Sequence, residues 1–188
     1  MDPAEVYAKT GIQRQPFNTL YQLLALKNEH PEQLEAARTF LMIPDYLNWR
    51  LTGIKANEYT NASTTGMLDA RTCTWDSDIL KAFGIPEDIF LAPTMPGTVL
   101  GELSADVSER VGYSATVVLP ATHDTGSAFL AVPARDDNAV YISSGTWSLL
   151  GVENPEPITN DIAREQNFTN EGGYQKRYRF LKNIMGLW

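Results

Sequence analysis

The side chains with the clearest potential for chemistry are His123 and Asp124, which follow the apolar run 117–119. A stretch of small and apolar residues, 126–132, begins shortly after them. This pattern predicts a short buried strand and then a helix, with the two polar side chains at the junction. Strand–helix junctions of α/β folds deliver side chains to a ligand crevice. A carboxylate held there can act as a general base toward a bound hydroxyl group.

Each of these polar residues also has a simpler explanation. Asp124 precedes the predicted helix, where its carboxylate can cap the N–H groups of the first turn. His123 can be a core residue that makes a single hydrogen bond, or its neutral ring can bind a sugar hydroxyl. Thr125 adds a hydroxyl group at the same place. Capping and catalysis are compatible roles for Asp124, and the residues alone leave both open.

A second candidate feature is the turn Ser143-Ser144-Gly145-Thr146, which lies between two predicted strands. Ser-Gly turns are common in simple hairpins, so a hairpin alone explains the pattern. The alternative is a phosphate loop, in which Gly145 allows close backbone approach and the Thr146 hydroxyl reaches a phosphoryl oxygen. The Walker pattern G-x-x-x-x-G-K-[ST] and the hydrolase pattern G-x-S-x-G are both absent from the sequence.

Composition limits the classes of function. The 188 residues carry a net charge of −8, which argues against nucleic acid and anionic membrane surfaces as partners. Cys73 is the single cysteine and only two histidines accompany it, so neither an intrachain disulfide nor a zinc site is expected. The sequence has no secretory signal and no stretch of transmembrane length, which predicts a cytoplasmic protein.

Hydrophobic spacing predicts the elements that would position these residues. Helices are expected over 18–30, 31–42, 43–52, 76–85 and 104–113. The polar segment 57–75 is expected to form short strands and turns, or the wall of a polar pocket. The tail is predicted to become helical from about Tyr178, and the stretch 133–138 is the best candidate for a domain boundary.

The segments "ATHDTGSAF", "YISSGTWSLLG", "NEGGY" and "FLKNIMGLW" resemble, in this order, the rhamnulokinases of the FGGY family of carbohydrate kinases. The upstream segments "TGIQRQPFNTLYQL", "IPDYLNWRLTG", "YTNASTTGMLDARTCTWD" and "GTVLGEL" are similar to the same family. The resemblance covers essentially the whole chain. Within the family, His123 before the aspartate and Trp147 after Gly-Thr point to the rhamnulokinase group.

This resemblance implies an α/β protein with the actin-like ATPase fold, which is ribonuclease H-like, in an incomplete form with parts of two domains. Residues 1–133 would belong to the N-terminal sugar-binding domain, and 134–188 would begin the C-terminal ATP-binding domain. The implied reaction transfers the γ-phosphoryl group of ATP to the C1 hydroxyl of L-rhamnulose. The implied cofactors are ATP and Mg²⁺, and the implied partner is a small ketose.

The resemblance also assigns roles to individual residues. Asp124 would be the catalytic base. His123, Asp124, Thr125 and Asn183 would contact the ketose. Thr146, with Gly145 beside it, would contact the phosphates of ATP, and no metal ligand is assigned in this chain.

Family members are more than twice as long as this sequence, so the resemblance implies a central fragment. We therefore expect the chain alone to be inactive as a kinase and to self-associate through exposed apolar edges. Two alternatives stay open at this stage. The chain can come from a kinase of another ketose, such as fuculose or xylulose, or it can be a truncated product or interaction module without catalytic activity.

Overall fold

A computed structural model describes residues 1–136, 138–145 and 147–184 of the chain. In this part the helices are α1 (Pro3–Thr10), α2 (Thr19–Glu29), α3 (Pro31–Ala36), α4 (Ile43–Thr52), α5 (Tyr59–Ser63), α6 (Ser77–Phe83), α7 (Ala105–Val111), α8 (Asp124–Leu130) and α9 (Asp161–Glu165). The strands are β1 (Asn57–Glu58), β2 (Leu68–Asp69), β3 (Thr74–Trp75), β4 (Pro93–Thr94), β5 (Val99–Glu102), β6 (Thr116–Val118), β7 (Val140–Ser144), β8 (Ser148–Asn154), β9 (Thr169–Gly172) and β10 (Tyr178–Asn183). Single 3₁₀ turns lie at Glu87–Ile89 and Tyr174–Lys176.

The helices expected in the first part of the chain are present, and capping residues, proline and glycine mark where they begin and end. The helix α4 has Pro44 in its first turn and ends at Gly53, which adopts the left-handed conformation at φ 75°. The helix α6 begins at an N-cap, Asp76, whose carboxylate accepts from the Ile79 N–H. The helix α3 is shorter than predicted, because it ends at Ala36 rather than near residue 42.

The polar segment 57–75 forms β1, α5, β2 and β3, so the expectation of short strands and turns is confirmed and one helical turn is added. The strand β1 pairs in parallel with β4, and β2 pairs with β3 as a hairpin. A hydrophobic core cluster joins α1, α2 and α6 to this segment. Its buried side chains include Val6, Leu20, Met67, Ile79 and Leu80. Burial of this kind is the main stabilising term of the fold.

The strand predicted before His123 exists but is not buried. The strand β6 pairs antiparallel with β5, and the Val118 side chain is 50% exposed. Only Leu119, just beyond the strand, is fully buried. The sequence prediction of a short buried strand was wrong because an apolar run of three residues does not reveal which neighbours will cover it.

The helix predicted from Tyr178 is also wrong, because Tyr178–Asn183 is the strand β10. It lies inside a four-stranded antiparallel sheet with the order β7-β8-β10-β9. Tyr178, Arg179 and Leu181 are buried. The strands β8 and β9 flank β10 and form hydrogen bonds with its backbone. These tertiary contacts outweigh the weak helical pattern of the sequence.

The loop between α8 and β7 contains the domain boundary predicted at 133/134, which stays a prediction. The later residues pack closely on the earlier ones in several places. The Gly172 N–H donates to Ser63 Oγ at 2.8 Å, and the Asn170 amide donates to the Gly11 carbonyl at 3.2 Å. No helix among the described residues is long and apolar enough to cross a membrane.

Replacing Gly151 by alanine is expected to destabilise the sheet by about 1–3 kcal/mol. A Cβ at this position would lie 2.5 Å from Leu181 Cβ and 2.7 Å from the Phe180 carbonyl oxygen, and neither atom can move freely. Urea unfolding followed by circular dichroism measures the change. Gly145→Ala is the control, since among the described residues its Cβ would meet the Trp147 carbonyl alone, at an ordinary contact distance of 3.8 Å. Equal stability of the two variants would contradict the prediction.

Candidate functional site

The segment that joins β6 to α8 carries the two residues singled out first. His123 occupies the N-cap position of α8 without a capping hydrogen bond from its side chain, and Asp124 is the first residue of the helix. The interpretation of Asp124 as the N-cap was therefore wrong by one position. The Asp124 carboxylate accepts from the Thr125 N–H at 2.6 Å and from the Thr125 hydroxyl at 3.1 Å.

These hydrogen bonds favour the ionised form of Asp124. The Thr125 N–H, followed by the Thr125 hydroxyl, holds the pKa of the Asp124 carboxyl below its usual value. The side chain is exposed at the start of the helix, where positive helix dipoles also favour the carboxylate. Asp124 is thus an ionised hydrogen-bond acceptor at neutral pH. It can orient a hydroxyl group and receive its proton.

Glu58 anchors the segment before Asp124 to the first part of the chain. It is fully buried at the corner between β1 and α5. Its carboxylate accepts from the N–H groups of Thr60 and Asn61 at 2.7 and 3.0 Å and therefore caps α5. The same carboxylate accepts from the N–H and the hydroxyl of Thr122, at 3.1 and 2.7 Å. One buried side chain therefore ties the start of α5 to the residue before His123.

A second buried carboxylate, that of Asp45, supports the same corner. It accepts from the Glu58 N–H at 3.1 Å and from the Asn57 amide at 3.3 Å. Burial raises the pKa of Asp45, although these hydrogen bonds oppose the change. Asp45 lies in α4, so this helix is fastened to the corner as well.

Arg179 approaches the junction from β10. Its side chain is 1% exposed, and its Nη2 donates to Glu171 Oε2 on β9 at 2.7 Å. The same nitrogen contacts His123 Nδ1. The guanidinium also lies over the Phe129 ring of α8, with Cζ 5.6 Å from the ring centroid. A buried cation thus connects the junction to the sheet.

Burial lowers the pKa of His123, with the neighbouring Glu171 acting in the opposite direction. Burial therefore favours the neutral form of His123 in the folded protein. The unfolded chain regains the ordinary pKa of about 6.5. Below that pH the unfolded state binds more protons at this residue than the folded state does, so the folded state loses stability as the pH falls.

Wild-type protein is therefore expected to lose more free energy of unfolding between pH 7.5 and pH 5 than a His123→Gln variant loses. Urea titrations of both proteins at the two pH values measure this difference. His30 is present in both proteins and cancels from the comparison. An equal loss in the two proteins would show that His123 is not held neutral by burial.

The predicted phosphate turn lies at one end of the four-stranded sheet. The strands β7 and β8 form the expected hairpin, and the Gly145 N–H donates to the Trp147 carbonyl at 2.9 Å. Thr146, the predicted phosphate contact, lies outside the described residues. Asn183 ends β10 opposite Leu149 and so lies at the turn end of the same sheet.

The predicted site residues thus fall into two groups. His123, Asp124 and Thr125 lie together at the start of α8. Gly145 and Asn183 lie together at the sheet end. Asn183 and Arg179 share one face of β10, since side chains alternate along a strand, and four residues separate them by roughly 13 Å.

Sequence reasoning missed Arg179, Glu171 and Glu58. The first two lie in the tail, where the predicted helix concealed the pairing of β9 with β10, and in the register of this pairing Arg179 stands opposite Glu171. Glu58 had one usable signal, since an acidic residue directly before a short helix is a capping pattern. Among the described residues no group of three or more His, Cys, Asp or Glu side chains could hold a metal ion.

The chain shares its sequence with a known family of proteins. Residues 1–131 match the family model described as the FGGY family of carbohydrate kinases, N-terminal domain. The chain is similar to rhamnulokinases of Oceanobacillus iheyensis and Halalkalibacterium halodurans, each 56% identical over 183 residues, which is 97% of this chain. A rhamnulokinase of Yersinia pestis is 51% identical over 183 residues. The chain spans 37–39% of the length of these relatives.

Solved structures show the same fold. The ligand-bound xylulose kinase from Lactobacillus acidophilus superposes with a TM-score of 0.85 at 24% identity, over 95% of this chain and 36% of that one. Plasmodium falciparum glycerol kinase with ADP superposes with a TM-score of 0.80 at 19% identity, over 98% of this chain and 38% of that one. The expected α/β fold of the actin-like ATPases, in partial form, is confirmed.

Proposed function

We propose that this chain, which belongs to the FGGY family of carbohydrate kinases, supplies the catalytic base and ketose-contacting residues of an ATP-dependent rhamnulokinase. The observation that supports the substrate is the 56% identity to rhamnulokinases over 97% of the chain. The observation that supports the role is the ionised, exposed Asp124 on a segment anchored by buried side chains.

The proposed reaction joins the C1 hydroxyl oxygen of L-rhamnulose to the γ-phosphorus of ATP. The bond between the γ-phosphorus and the bridging oxygen breaks and ADP leaves. Asp124 accepts the hydrogen bond of the C1 hydroxyl and takes its proton as the new bond forms. Because phosphoryl transfer passes through a loose transition state, a carboxylate of lowered pKa contributes chiefly by orienting the attacking oxygen.

His123, Thr125 and Asn183 are proposed to hold the other oxygens of the ketose. The Gly145–Thr146 turn is proposed to face the phosphates of ATP. The Gly145 N–H already donates to the Trp147 carbonyl. Gly145 would therefore allow the phosphates to approach the backbone closely and would not donate a hydrogen bond to them. Magnesium would neutralise the phosphate charge, and its ligands are not assigned to the described residues of this chain.

The test is a chimera. The 183 matched residues of the Oceanobacillus iheyensis relative are replaced by this chain, and ADP release from Mg-ATP is measured with L-rhamnulose, L-fuculose and D-xylulose. Turnover that is highest with L-rhamnulose supports the proposal. Preference for another ketose would reassign the substrate, and no turnover on any ketose would favour the non-catalytic alternative.

For the 188-residue chain alone, we propose that no ketose-dependent ADP forms and that it self-associates. Large exposed apolar side chains on β7, notably Val140 and Ile142, are 65% and 64% exposed. Sedimentation velocity at several concentrations tests the second expectation. A monodisperse monomer would overturn it.

A further inference from the structure

Arg179 lies beneath the start of α8 in space that a side chain at position 126 would fill. A Cβ on Gly126 would lie 3.0 Å from Arg179 Cζ. The guanidinium uses Nη2 toward Glu171 and His123 and presents its face to Phe129. Its Nε and Nη1 atoms have no hydrogen-bond partner among the described residues. The polar contacts of this buried cation are therefore concentrated on one nitrogen.

The contact between Arg179 Nη2 and His123 Nδ1 has a single chemical interpretation. A guanidinium group carries only N–H donors and stays protonated in proteins. The ring nitrogen that faces it must be the acceptor. A neutral imidazole has one acceptor and one N–H, so a His123 ring that accepts at Nδ1 carries its proton on Nε2.

We propose that Arg179 is a positioning residue that fixes His123 as the neutral Nε2–H tautomer, so that the imidazole presents a hydrogen-bond donor to an oxygen atom of the bound ketose. The identity of the acceptor rests on the function proposed above. The tautomer itself rests only on contacts within the chain. Arg179 would thereby help to select substrates with an acceptor oxygen at this point.

Burial and charged neighbours act together on the protonation of His123. Burial disfavours an imidazolium most strongly and Arg179 on β10 acts in the same direction, whereas Glu171 on β9, Asp124 on α8 and Glu58 on β1 favour it. Glu171 Oε2 lies 3.6 Å from His123 Nδ1. Without Arg179 this carboxylate would be the neighbour of Nδ1 and would accept a proton placed there. Removing the guanidinium should therefore move the proton to Nδ1 and raise the pKa of His123.

The first test is the tautomer in the wild-type chain. Long-range ¹H–¹⁵N spectra of the ¹⁵N-labelled 188-residue protein distinguish the Nδ1–H, Nε2–H and doubly protonated forms of histidine. The chain has two histidines, and a His30→Gln variant assigns the signals of His123. The expected result at pH 7.5 is the Nε2–H tautomer. An Nδ1–H tautomer or an imidazolium at this pH would overturn the proposal.

The second test compares variants by the same spectra. Arg179→Met should shift His123 toward the Nδ1–H form and raise its pKa, whereas Glu171→Gln should keep the Nε2–H form and lower its pKa. Arg164→Met is the control, because the Arg164 guanidinium forms ion pairs with Asp161 and Glu165 of its own helix, α9, and its loss should leave His123 unchanged. An unchanged tautomer and pKa in folded Arg179→Met would refute the role of Arg179.

The tautomer assignment can be tested even if Arg179→Met does not fold or the chimera has no activity. If Arg179→Met does not fold, the wild-type spectrum and the Glu171→Gln titration still support or overturn the assignment. The spectra need no turnover, so they are independent of the chimera experiment. If the chimera releases no ADP with any ketose while the spectra show the Nε2–H tautomer of His123, the proposed kinase function is rejected. The effect of Arg179 on the His123 tautomer is then retained.

Discussion

Asp124→Asn, introduced into the chimera, is expected to lower kcat with L-rhamnulose by about 10²–10⁴-fold, the usual contribution of a general base. The amide can still lie beside the C1 hydroxyl, but it cannot take the proton and carries no charge to orient the O–H bond. The KM for the ketose should change much less, because His123, Thr125 and Asn183 remain. Steady-state ADP release at saturating Mg-ATP measures both constants.

Asp106→Asn is the matched control for this substitution. Asp106 lies in the first turn of α7, a helix of seven residues like α8, and its carboxylate accepts from the Ser104 hydroxyl at 2.7 Å. It therefore has the same chemistry at the start of a different helix. Full activity of the Asp106 variant together with the loss at Asp124 would support catalysis. Full activity of the Asp124 variant would show that its carboxylate only stabilises α8.

Glu58→Ala is expected to lower the free energy of unfolding by about 3–5 kcal/mol. The substitution leaves the buried Thr60 N–H and the half-buried N–H groups of Asn61 and Thr122 without their acceptor. It also releases the segment that carries His123 and Asp124. Thermal unfolding should shift downward by roughly 6–20 °C for a chain of this size.

Glu102→Ala provides the comparison. The Glu102 carboxylate accepts from the hydroxyl groups of Ser114 and Thr116, at 3.3 and 2.6 Å, and all three residues are exposed. Its loss should cost less than about 1 kcal/mol, because water replaces the carboxylate. Glu58→Gln, which keeps one oxygen acceptor, should fall between the two. A Glu58→Ala variant as stable as Glu102→Ala would mean that the corner around Glu58 does not hold the junction.

Several features of the protein could be predicted from local sequence because their causes are local. Pro44 and Gly53 mark the two ends of α4, and Asp76 marks the start of α6, since helix ends depend on residues a few positions away. The hairpin β7–β8 follows from two apolar segments around a Ser-Gly turn. His123 and Asp124 stood out because two polar side chains interrupt small and apolar residues. The family resemblance extended this local information to the whole fold.

The tertiary structure alone decided which distant residues share the site. The segment 178–183 became a strand because β8 and β9 flank it, and this pairing placed Arg179 opposite Glu171 and beneath α8. Glu58 reaches Thr122 across a long stretch of chain, which no local pattern encodes. Spacing and residue type determine where elements start and end, whereas burial, pairing and charge neighbours depend on contacts between segments far apart in sequence. These contacts decide which nitrogen of His123 faces Arg179.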